Sequence, residues 1–253
     1  MSRLYGRVED VNNVSKYLID NYKKLYIMSY KDIDDEELID SPKKVFPYLS
    51  KDTINYINDC DIQIRWNNKI AGTIYSGVGE DDNIIFFKTR QMKEEYKTDL
   101  IYFIGDLLRR KNLDYMQDEH DIMCQYSDVL PLLIEYLYLK EISKEELFSE
   151  RNLSDLRLNA KKYHRIYERC KKFPYLFSEK SLLNNTLLYL VPLSSIDATL
   201  QIIDSIGNNK EELRVLLQEL IDNNNHNREE ILNERNVNTY GFKRLRKEID
   251  LRK

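Results

Sequence analysis

Apolar positions Val11, Val14, Leu18, Tyr22 and Leu25 recur at spacings of three and four, which predicts an amphipathic helix over residues 9–30 with one buried stripe. Ser50-Lys51-Asp52-Thr53 can cap a short helix ending near Asp59. The period then changes. Ile62-Gln63-Ile64-Arg65-Trp66 alternates apolar and polar, Asn67-Asn68 is a turn dipeptide, and Ile70-Ala71-Gly72-Thr73-Ile74-Tyr75 reads as the returning strand of a hairpin. Beyond a Gly- and Asp-rich turn at 77–82, Ile84-Ile85-Phe86-Phe87-Lys88 supplies a third strand, completing an antiparallel meander.

Residues 92–111 predict a long helix, because Tyr96, Leu100, Phe103, Ile104, Leu107 and Leu108 fall on one face at about 100° per residue. Tyr102 and Asp106, four apart, project on its other side. A loop at 112–117 leads to a second long helix over 118–140, which Pro131 must end, kink or start, since it lacks a backbone donor. The remainder is helical in period: Leu153, Leu156, Ala160, Tyr163, Tyr167 and Cys170 form one stripe, followed by helices at 182–190, 196–206 after Pro192, and 213–221 before a polar Asn223-Asn224-Asn225 break.

These elements predict an α+β protein, mostly helical, with a small three-stranded antiparallel sheet packed on the long helix and a helical C-terminal half. Its segments are 1–60, an N-terminal helix and acidic loop; 61–141, the sheet and two-helix core; 142–222, a helical bundle; and 223–253, a polar and basic tail, all within one compact domain.

Charge narrows the partners. Lys and Arg number 39 against 43 Asp and Glu in 253 residues, a net charge of −4, so no global field draws the chain to nucleic acid or an acidic membrane. The last twelve residues, 242–253, carry six basic and two acidic side chains, but Phe242 is their only aromatic and no second basic face is read elsewhere, which favours a solvated helix over a nucleic-acid contact. A 42% hydrophobic content suffices for a core, and no run of about 18 apolar residues exists to span a bilayer. The N-terminus lacks the apolar region of a secretory signal, and Cys60, Cys124 and Cys170 fit no CxxC spacing, so a cytoplasmic protein with small apolar filler cysteines is expected. Heavy use of Asn, Ile, Lys and Tyr suggests an AT-rich genome, whether bacterial, phage or viral.

Most catalytic signatures are missing. The acidic run 32–40 lacks the Gly and closing Glu of an EF-hand loop and reads as a solvated helix start; Gly77 and Gly79 are turn residues rather than a dinucleotide fingerprint. His120-Asp121 has the HD dipeptide without the further ligands of an HD phosphohydrolase, and neither GxSxG nor a P-loop occurs.

One stretch is closer to chemistry. In Leu100-Ile101-Tyr102-Phe103-Ile104-Gly105-Asp106, Leu100 and Gly105 match the common form LxHExGH of a zinc-peptidase helix, and Asp128 follows 22 residues after Asp106, where a third carboxylate ligand would come from. With the order strand, strand, strand, helix, loop, helix, residues 60–140 resemble gluzincin-type (ImmA/IrrE-like) bacterial metallopeptidases. What the resemblance implies is an inherited fold with catalysis lost: Tyr102 and Asp106 stand where the two His ligands would be, and Phe103, in the place of the general base, cannot accept a proton. No cofactor is expected. The leading reading is a non-catalytic intracellular protein that binds a protein partner, a pseudo-enzyme of metallopeptidase descent. An alternative is a divergent metal-dependent hydrolase using Asp106, Asp128 and neighbouring carboxylates such as Glu135; a second is nucleic-acid association through the basic tail.

Overall fold

A computed structural model of the chain describes residues 27–29, 31, 35–67, 84–88, 93–112, 126–173 and 179–237. They divide between two compact units, Met1–Leu107 and Leu108–Lys253.

In the first unit, Asp35 accepts hydrogen bonds from the backbone N–H groups of Glu37 and Leu38 (both 3.2 Å) and so opens α1 (Glu36–Asp40), with Glu36 and Glu37 at the positive end of its dipole. The acidic run thus starts a helix. Two 3₁₀ turns, Ser41–Lys44 and Phe46–Tyr48, each carry a proline at their start, where its missing donor has no helical partner to lose. Ser50 accepts from the Thr53 N–H at 3.2 Å and opens α2 (Lys51–Asp59), as its sequence predicts.

The strand expectation is overturned. β1 (Ile27–Ser29) falls at the end of the helix expected over 9–30, and it pairs antiparallel with β2 (Gln63–Asn67). β2 in turn pairs with β3 (Ile84–Lys88), but in parallel, with Gln63 opposite Ile84. An antiparallel three-stranded meander of 62–66, 70–75 and 84–88 is therefore not what the described residues form, and they are mostly helical. The physical reason is chain length: parallel strands need a crossover of about a dozen residues or more, and 68–83 supplies sixteen, whereas the hairpin reading spent them on a turn and a strand. The expected strand at 70–75, and residues 9–26 of the expected N-terminal helix, lie outside the described residues.

α3 (Lys93–Arg110) has the predicted apolar stripe, with Tyr96, Leu100, Phe103, Ile104, Leu107 and Leu108 all buried. The burial goes further round, taking in Ile101, Thr98 and Asp99.

The second unit is helical throughout its described residues. A turn at Tyr126 to Asp128 interrupts the helix expected over 118–140; α4 (Val129–Glu141) follows it, and Pro131 sits in the first helical turn, where it starts the helix rather than breaking it. Residues 118–125 lie outside the described residues. α4 ends with Ser143 in the left-handed region (φ 55°), the Lys144 N–H reaching back to the Leu139 carbonyl at 2.8 Å.

α5 (Glu145–Lys172) buries Phe148, Asn152, Leu156 and Ala160, a strict every-fourth-residue stripe. α6 (Glu179–Ile206) is one helix where two were expected, with Pro192 inside it. Burial of Val191, Leu193, Ile196, Ala198 and Ile202 outweighs the lost hydrogen bond. α4 and α6 are apolar on nearly every face and pack together and against α5, so they form the interior of this unit. α7 (Lys210–Asp222), capped by Asn209, packs on α4, and α8 (Asn225–Glu234) packs on α7. Among the described residues, no helix is long and apolar enough to cross a membrane.

Candidate functional site

Tyr102 and Asp106 lie one turn apart on α3. The sequence reading put them on an outward face, yet Asp106 is only 5% exposed and Tyr102 half-buried. This polar row is thus part of the packed helix, and Asp106 is engaged by neighbouring groups. A buried carboxylate needs such engagement, because transfer of the unpaired ion out of water costs several kcal/mol, about the scale of a whole fold's net stability.

Asp128 belongs to the other unit, immediately before α4. Its side chain makes no cap bond; the backbone N–H donates to Ser195 Oγ at 3.1 Å, and the carbonyl accepts from the Leu132 N–H. Ser195, wholly buried on α6, in turn accepts at its carbonyl from Thr199 Oγ1 at 2.8 Å. These bonds place Asp128 as a structural junction between α4 and α6. Glu135, 1% exposed, stands seven residues further along, about 10 Å away along the axis, too far to share one cation with Asp128. Among the described residues, no group of three or more His, Cys, Asp or Glu is arranged to hold a metal ion. His120 and its HD dipeptide lie outside the described residues, as do Cys124 and the basic tail at 242–253.

Tyr136, beside Glu135, is a half-buried titratable group on α4. Burial chiefly, then the negative charges of Glu145 and Asp204, push its hydroxyl above the usual tyrosine value. Its ring meets Phe148 edge-on at 5.5 Å, with Lys140 Nζ 5.8 Å above it.

Among the described residues, exposed apolar and basic side chains gather on the outer face of α5, which the sequence reading passed over when it found no second basic face. Three of the four large apolar side chains exposed among the described residues are here: Leu147 and Leu153 (38% each) and Leu158 (49%). An open groove of about 620 Å³ runs along Glu150, Leu153, Ser154, Arg157, Leu158 and Lys161. Exposed Arg157, Lys161, Arg165 and Arg169 follow one another at four-residue intervals, with Lys172 at the end. That spacing was the available signal; the net charge of −4 concealed it.

No family model matches the chain, and neither the curated proteins nor the solved structures contain a match.

Proposed function

We propose that this is an intracellular protein without catalytic function that acts by docking another protein on the outer face of α5. The concentration of Leu147, Leu153 and Leu158 on one helix supports this, because exposed apolar side chains gathered along a groove gain most from being covered. The proposal needs no metallopeptidase ancestry and no metal, and it leaves Asp106 and Asp128 as structural residues.

The experiment places a photo-reactive residue at position 158 in cells of the source organism, with a second variant carrying it at Arg214, an exposed site on α7. Docking predicts a discrete protein adduct from position 158 that is absent from position 214 and lost when Leu147→Asp and Leu153→Asp are added. Equal labelling from both positions would remove the proposal.

A further inference from the structure

The charge beside those leucines bears on what the partner must be. Between Arg157 and Lys172 the chain carries seven Lys and Arg and a single Glu, in a protein whose total charge is negative. Arg157, Lys161, Arg165 and Arg169 are all exposed, and none of the four makes an ion pair among the described residues. Each successive pair sits at i, i+4, the spacing at which like charges destabilise a helix by about 0.2–0.5 kcal/mol. The helix dipole accounts for cations only in the last turn, so Arg169 and Lys172 have an intramolecular reason to be there and Arg157, Lys161 and Arg165 do not. The helix tolerates a standing repulsion over about 18 Å that an anionic partner would relieve.

The leucines decide between anions. Leu153 and Leu158 are five positions, about 140°, apart, and flank the row of Glu150, Arg157 and Lys161. A nucleic-acid backbone offers nothing to cover them. Single-stranded binding also wants aromatic stacking, whereas no exposed described residue of α5 is Phe, Tyr or Trp. A helix with carboxylates along the centre of its contact face and apolar side chains on its flanks satisfies both features.

We infer that the outer face of α5 docks an acidic amphipathic helix of another protein, the carboxylates facing Arg157, Lys161 and Arg165 and the flanks covering Leu153 and Leu158. The inference rests on the docking reading above and adds the chemistry of the partner.

Three probes test it by fluorescence anisotropy against the full chain: a helical peptide of about 16 residues with a glutamate every fourth position flanked by leucines; its analogue with glutamine for glutamate; and a mixed-sequence single-stranded oligonucleotide. The glutamate peptide should bind about tenfold tighter than the glutamine one, weaken as salt rises from 0.05 to 0.5 M, and lose about tenfold on Lys161→Glu with Arg165→Glu. Both substitutions are at exposed positions, and an unchanged circular dichroism melt shows that the fold is kept. Equal binding of the two peptides, lost on Leu153→Asp with Leu158→Asp, would overturn the acidic partner and leave docking standing. No binding of either peptide would overturn both. Tighter binding of the oligonucleotide than of the glutamate peptide, lost on charge reversal, would assign the face to nucleic acid instead.

Discussion

Arg228 shows how single side chains hold the second unit together. It is a cation only 3% exposed, on α8, and its Nε donates to the Leu220 carbonyl near the end of α7 while Nη1 donates to the Arg109 carbonyl at 2.9 Å, at the end of α3. Asn112 Nδ2 adds a bond to the Ile221 carbonyl at 2.6 Å. Last-turn carbonyls have no intrahelical donor and carry the negative end of the dipole, so a guanidinium between two helix ends satisfies both geometry and charge. Arg228→Ala should lower the free energy of unfolding by about 1–3 kcal/mol, the cost of leaving buried acceptors unmet, as read from urea denaturation. Arg228→Lys should recover little of it, since one ammonium cannot present the two-pronged planar donor set. A loss below about 0.5 kcal/mol for the alanine variant would mean that water serves those carbonyls equally well.

At the scale of elements, local signals were legible where they act through neighbours in sequence, and illegible where distant packing decides. Asn224 illustrates both. The Asn223-Asn224-Asn225 run reads as a polar break, and α7 does end there, but Asn224 accepts from the Asn227 N–H at 3.0 Å and is the N-cap of α8, a helix whose polar surface hides its period. Leu232 and Val237 are its buried contribution, joined by a 2.9 Å backbone bond around Asn236 in the left-handed region. Asn224→Ala should cost about 1 kcal/mol in chemical denaturation, and Asn224→Ser almost nothing. Ser50 and Asp35 were readable in the same way. Pro192 was not, because its place inside α6 depends on the helices packed around it, and neither was the parallel pairing of β2 with β3, which depends on a crossover. The candidate site divides likewise: the apolar stripe of α3 followed from period alone, whereas the burial of Asp106, off that stripe, did not.

For the whole molecule, the sharpest contrast is between a protein that acts through its surface and one that holds a catalytic cation. A metal bound at a hundred times its dissociation constant would stabilise the fold by about 2.7 kcal/mol. For a chain of this size, that corresponds to a rise of about 5–10 °C in the melting temperature. Asp128 and Glu135 stand about two helical turns apart, so the pair does not give a hard divalent ion its shell of converging oxygens. The melting temperature is accordingly expected to stay within about 1 °C when Zn²⁺, Mn²⁺ or Mg²⁺ is added to chelator-treated protein. The informative variant is Asp128→Asn, which removes the charge a cation would need and keeps the side chain's size and hydrogen-bonding capacity. A metal-dependent rise of several degrees that this variant abolishes would reinstate the hydrolase reading. A flat response in both proteins would remove the hydrolase reading.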